Sequence, residues 1–135
     1  MSIFNAIGVA GTGVTVYRKW LDAASDNIAN INNVTSTSND AFQARYVIAQ
    51  AVDYGSGTEG VQVNGAAFSG KREGKTVYEP DHPLADERGN VRYPDINLGD
   101  QMGNLIMAQR GYQSNLAVVD RAREAYQSAI QLGRA

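Results

Sequence analysis

Apolar residues at the two ends of this chain recur in alternating steps of four and three, the spacing that lines one side of a helix. From the N-terminus, Ile3, Ile7, Ala10, Val14, Tyr17, Leu21, Ala24, Ile28 and Ile31 keep this a/d rhythm without a break. After Pro94 it resumes with Leu98, Met102, Leu105, Tyr112, Leu116, Val119, Tyr126 and Ile130, while Gln109 and Arg123 take the remaining seam positions. All three prolines, Pro80, Pro83 and Pro94, lie between the two stretches, so neither contains that helix breaker. The spacing predicts two long helices that pair as a coiled coil. Asp95 or Asn97 is placed to cap the second, and Gly133 lies where a left-handed helix terminus is easily adopted.

The middle has a different character. FQARYVIAQAV (42–52) and VQVNGAAF (61–68) carry the β-branched and aromatic residues of strands, and Asn64-Gly65 in the second is a hairpin signal. KTVYEPDHPLADERGNVRYPD (75–95) reads as a strand, a proline-bounded loop, a tight turn at Arg88-Gly89-Asn90 and a second short strand. NNVTSTSNDA (32–41) reads as a polar loop. The expected fold is mainly α with a small β-rich insert: an N-terminal helix within 1–33, a loop and β-rich unit over 34–94, and a C-terminal helix within 95–135.

One helical hairpin leaves apolar residues over. Phe4, Val9, Val16, Trp20, Ile106, Met107, Ala117 and Val118 stand outside the seam. Gly8, Gly11, Gly13, Gly103 and Gly111 fall inside the expected helices, each at a cost of roughly 1 kcal/mol relative to Ala. Because glycine permits close approach of neighbouring helices, both features point to dense packing in an assembly. SDNIANINN (25–33) adds a cluster of amides, Asn27, Asn30, Asn32 and Asn33, in poor helix formers. Either the helix stops there or the amides contact something.

Several function classes are disfavoured. A net charge of −2 gives no broad attraction to nucleic acid, and no apolar run is long enough to insert directly into a membrane. The chain has no cysteine, which removes disulfides and thiolate metal sites. GVAGTGVT lacks the Lys-Ser/Thr of a phosphate loop, because Val14 follows Gly13. The single histidine, His82, sits among Glu79, Asp81, Asp86 and Glu87 in a spacing that matches no metal loop, and no serine has a nucleophile-elbow context. No catalytic residue, cofactor or metal ligand is expected. MSIFNAIGVAGTGVTVY has no positive n-region, so ordinary secretion is not expected either.

The residues also carry a resemblance. AASDNIANINN is similar to the N-terminal signature of flagellar axial proteins, through Ser25, Asn27, Ile28, Ala29 and Asn30. VYEPDHPLADERGNVRYPDINLGDQM resembles a segment of the flagellar basal-body rod proteins, through Tyr78, Pro80, Pro83, Ala85, Asp86, Gly89, Pro94, Ile96 and Asn97. AQRGYQSNL matches through Arg110, Tyr112, Gln113 and Asn115. The whole chain resembles that family, and within it the proximal-rod members.

The resemblance implies a structural subunit that self-assembles with related rod proteins into a helical tube, which transmits torque and encloses the export channel. It implies export through the flagellar type III apparatus without a cleaved signal, and a place in the basal body, on the periplasmic side where there are two membranes. The seam residues named above, with Asn27 and Asn30, would form the assembly interface. The amide cluster would end the first helix and offer hydrogen bonds to neighbouring subunits. The competing expectation is a monomeric or dimeric coiled-coil adaptor with a β-rich binding head.

Overall fold

The computed structural model describes residues 3–55 and 58–134; Met1, Ser2 and Ala135, the outermost residues of the expected end segments, lie outside the described residues. The elements in chain order are α1 (Ile3–Ala29), β1 (Ala44–Asp53), β2 (Glu59–Ser69), β3 (Lys75–Tyr78), β4 (Asn90–Tyr93) and α2 (Leu98–Leu132). At about 1.5 Å per residue the helices are about 40 and 52 Å long.

Each helix ends for a local reason. The Asn30 backbone N–H and its side-chain Nδ2 both donate to the Asp26 carbonyl, at 3.1 and 2.8 Å, and the chain then turns through Ile31 and Asn33. A side chain competing for a helical carbonyl is the means by which Asn interrupts a helix. Ile31, expected in the seam, therefore lies beyond α1. At the start of α2, Asn97 Oδ1 accepts the Asp100 N–H at 3.2 Å and acts as the cap. Asp95, the other candidate, instead receives Lys75 Nζ at 3.0 Å. Gly133 does not take the left-handed conformation anticipated for it; α2 closes with the Gly133 N–H on the Ala129 carbonyl and the Arg134 N–H on that of Gln131.

The strands form two separate two-stranded sheets, β1-β2 and β3-β4. In β3-β4, Lys75 faces Tyr93 and Tyr78 faces Asn90, with Gly89 before the second strand as expected. The first hairpin turns elsewhere than Asn64-Gly65. β2 runs through that pair, with Gly65 at φ +125°, and Asn64 Nδ2 donates across to Gln50 Oε1 at 2.7 Å. The reversal lies at Tyr54–Thr58, where the Tyr54 N–H meets the Thr58 carbonyl at 2.8 Å. Asp53 Oδ1 accepts the Gly55 N–H at 2.7 Å, and Gly55 at φ +80° supplies the bend. This aspartate-glycine turn takes precedence over the asparagine-glycine signal ten residues on.

The described residues divide into two units, and α1, β1, β2 and α2 each contribute to both. Unit 1 comprises the described parts of Met1–Leu21, Val47–Gly65 and Ile106–Ala135. In it, Phe4 meets Tyr126 edge-on with ring centroids 5.3 Å apart. Gly13 lies against Asn115, and Gly111 lies against the Tyr17 ring so closely that a Cβ would overlap it. The helical segments therefore run antiparallel. Thr12 Oγ1 accepts the Val61 N–H of β2 at 3.1 Å and donates to the Val9 carbonyl at 2.7 Å. The buried apolar residues here are Ala10, Val16 and Ala108.

Unit 2 comprises Asp22–Tyr46 and Ala66–Leu105. Its buried apolar residues are Ala24, Ala41, Ala44, Val91 and Ile96. Thr35 and Arg92 exchange two backbone hydrogen bonds of 2.9 Å, which tie the polar loop to β4. Asn27 and Gln101, each 1% exposed, complete its interior.

Candidate assembly surface

The heptad seam and the buried helix faces only partly coincide. On α1, Ala10 and Ala24 are buried, Ile7, Val14, Tyr17, Leu21 and Ile28 are half-buried, and Ile3 is exposed. Ile31, in the turn beyond, is half-buried. On α2, Leu105, Tyr112 and Val119 are half-buried, whereas Leu98, Met102, Gln109, Leu116, Arg123, Tyr126 and Ile130 are exposed. The other fully buried positions are off the seam, at Gly13, Val16 and Asn27 of α1 and at Gln101 and Ala108 of α2. Consecutive residues on a helix point about 100° apart, so a stripe one residue away is a different column. At Gly13 the facing Asn115 leaves no room for a Cβ, whereas Asn27 and Gln101 are held inside by hydrogen bonds.

Much of the apolar surface therefore remains open. In unit 1, Phe4 is 65% exposed, and Ile106, Met107, Leu116, Val118 and Ile130 are exposed as well. In unit 2, Leu98 and Met102 are each about half exposed. Of the residues outside the seam, Val16 is buried and Trp20 half-buried, while Ala117 is exposed. Covering a large apolar side chain completely is worth about 1.5–3 kcal/mol, so this surface is a substantial store of binding energy.

The helical glycines separate along similar lines. Gly13 and Gly111 have close neighbours in the subunit, but a Cβ at Gly8, Gly11 or Gly103 would meet nothing within 4 Å. Among the described residues, then, no close contact accounts for glycine at those three positions.

Asn27 corrects an expectation. Its Oδ1 accepts the Arg45 N–H at 2.8 Å, and its Nδ2 donates to the Arg45 carbonyl at 2.9 Å and to Gln101 Oε1 at 2.8 Å. Gln101 Nε2 in turn donates to Tyr46 Oη at 2.9 Å. The carboxamide pairs with Arg45 much as a neighbouring strand's peptide group would. Its bonding groups are engaged inside the subunit, so they are not what it offers to a neighbour. Asp26 and Arg45 form an ion pair beside it. Sequence reasoning missed Gln101 and Tyr46 altogether. Gln101 lies 74 residues from Asn27, and a lone buried glutamine breaks no periodic pattern.

The β3-β4 connector is a rigid turn. Asp86 Oδ1 accepts the Asn90 and Arg88 N–H groups, each at 2.9 Å, and Oδ2 accepts Thr37 Oγ1–H at 3.0 Å. These bonds, that from Asn90 foremost, hold its carboxyl below the ordinary 3.8. Tyr93 Oη–H donates to Glu79 at 3.0 Å, which pushes the phenol above its usual 10.0. The hydrogen bond from Lys75 lowers the Asp95 carboxyl. His82 Nδ1 accepts the Leu84 N–H at 3.1 Å as part of the turn. Among the described residues no group of His, Asp and Glu could hold a metal ion, and no helix is long and apolar enough to cross a membrane.

Uncovered apolar helix faces are surfaces suited to contact with another molecule. Residues 87–132 match the family described as flagellar basal body rod FlgEFG protein C-terminal, which gives the class. Over nearly its whole length the chain is also similar to individual rod proteins. It is 34% identical over 136 residues to the flagellar basal-body rod protein FlgC of Salmonella typhimurium, an alignment covering 99% of this chain and 100% of that one. The FlgC of Aquifex aeolicus is 29% identical with 97% of each chain covered, and that of Borreliella burgdorferi 28% identical with 98% of each. The chain belongs to the FlgC family of flagellar basal-body rod proteins.

Proposed function

We propose that this protein is a structural subunit of the proximal rod, joining copies of itself and other rod proteins in a helical tube that encloses the export channel and transmits torque. α1 and α2 pair as a coiled coil in the inner layer of the tube, with the β elements outside. The seam residues exposed in the single chain make contacts between subunits, and Gln109 and Arg123 restrict their register. The chain reaches the basal body through the flagellar type III apparatus, without a cleaved signal, and lies on the periplasmic side where the envelope has two membranes.

What carries this reading is unit 1. Its buried apolar residues are Ala10, Val16 and Ala108, while Phe4, Met107 and Leu116 stay exposed. A surface of that kind, joined head to tail by unlike faces, produces an open helical array when its rotation does not close.

The test is a double variant, Ile106→Asp with Leu116→Asp, in cells that depend on this chain. Ile106 is 47% and Leu116 39% exposed, so the purified subunit should still fold, losing about 1 kcal/mol per site. Basal bodies from the same cells should lack rods. Normal rods and swimming with both charges in place would overturn the reading.

A further inference from the structure

Among the described residues β1 pairs with β2 alone, so one edge of it has no strand beside it. Within unit 1, the hairpin closes through the Tyr54 N–H and the Thr58 carbonyl, which sets Tyr54 facing its partner strand. Strand groups alternate with period two, so the N–H and C=O of Val47, Ala49 and Ala51 point the other way. Within unit 2, Arg45 obeys the same parity, for both its backbone groups are taken by Asn27 rather than by β2. On β2 the Val61 N–H is likewise met, by Thr12. Among the described residues no such group meets the β1 edge over 47–51, where Ile48, Ala49, Gln50 and Ala51 are all exposed.

Natural proteins blunt open edges with Lys, Pro, a bulge or a covering loop. VIAQAV (47–52) has no charge, no proline and no glycine. Such an edge is a template for one kind of partner. Outward N–H and C=O groups two residues apart match an extended backbone, whereas a helix face or a polyanion presents no corresponding ladder.

We propose that residues 47–51 receive a third strand, an extended segment of a neighbouring rod subunit. Backbone hydrogen bonds hold it, and the small Ala49 and Ala51 side chains admit close approach beside it. This rests on the rod reading above and adds to it a second, β-strand contact beside the helical one.

Ala49→Pro removes one outward N–H and leaves the hairpin's own bonds in place. Ala49→Thr adds bulk but keeps the N–H. In cells that depend on this chain, the proline variant should lower rods recovered in basal bodies by about tenfold or more, equivalent to the loss of a central interface contact. The threonine variant should assemble normally, and thermal unfolding of the purified proline variant should match the parent. Normal assembly of the proline variant would overturn the proposal, and so would equal failure of both variants, since that would indicate bulk rather than the backbone group. Absence of rods with the unaltered chain would instead sink the rod reading itself.

If the proline variant unfolds, Ala51→Cys decides the matter, because the chain has no other cysteine. In basal bodies carrying a single cysteine in the neighbouring rod subunits, a short bismaleimide should join Ala51→Cys to one of them. No adduct would overturn the proposal. A self-adduct formed by the isolated subunit would also overturn it, by marking a symmetric β1-β1 dimer.

Discussion

Units 1 and 2 hold together by different means. Unit 2 has Val91 and Ile96 in its interior, and a chain of amide and phenol bonds, buried at its centre, runs from Arg45 through Asn27 and Gln101 to Tyr46. Unit 1 has Ala10, Val16 and Ala108 inside, Tyr17, Trp20 and Tyr112 half-buried, and Phe4, Met107 and Ile130 exposed. A fully satisfied polar network fixes one arrangement and is costly to disturb, whereas small residues packed closely bury little area. The lesson is one of what each encloses: unit 2 buries two larger aliphatic side chains and a polar network, and unit 1 buries two alanines and a valine.

The strongest way to break this comparison is Asn27→Ala. It leaves the buried Gln101 oxygen and the part-buried Arg45 N–H and carbonyl without their partner, and an unsatisfied group costs about 1–3 kcal/mol when fully buried and less when water can reach it. A loss of about 2–3 kcal/mol is expected in urea unfolding, within the upper range of single substitutions. Amide exchange should quicken in residues 22–46 and 66–105. Quickening confined to unit 1 would erase the distinction.

Glycine replacements sharpen it at a smaller scale. Gly111→Ala drives a Cβ into the Tyr17 ring and should destabilise the unit 1 helix pair by about 1–3 kcal/mol. Gly103→Ala, where a Cβ meets nothing within 4 Å, should stabilise the free subunit by about 0.5–1 kcal/mol, through helix propensity alone. Thermal unfolding reads both. A shared sign would mean that the helical glycines do not differ as the geometry says.

Acid should have the smallest effect, and it should fall on unit 2. The Asp86 carboxyl is lowered in the folded chain, so its stabilising bonds are intact above the ordinary carboxylate range and are lost as pH falls through the depressed value. Tyr93 runs the opposite way: its raised phenol keeps the bond to Glu79 below pH 10.0 and loses it as pH climbs past the folded value. Protection of the Arg88 and Asn90 N–H groups, taken relative to the free-peptide exchange rate at each pH, should fall only below about 4, and in Asp86→Asn it should not vary with pH over that range.

Periodicity made α1 and α2 legible because it reports where apolar residues recur. It did not report which column would be buried, since the close approach of helices selects Gly13, Ala108 and Gly111 over larger neighbours. The β3-β4 hairpin could be read from its prolines and turn glycine. The β1-β2 reversal could not, because Asp53 and Gly55 compete locally with Asn64-Gly65 and only the folded chain shows which pair bends. Asparagine at the end of α1 announced a stop, and Asn30 provides it. The inward role of Asn27 depends on residues far along the chain, which no local pattern encodes.

The contact between Phe4 and Tyr126 has a practical corollary. It draws the first turn of α1 to within about two helical turns of where α2 finishes, so a tag fused at the head of the polypeptide and one fused at its tail would crowd the same neighbourhood. A short Gly/Ser tether across that gap, with new ends opened in the reversal after Tyr54, offers a circular permutant in which both original extremities are sealed.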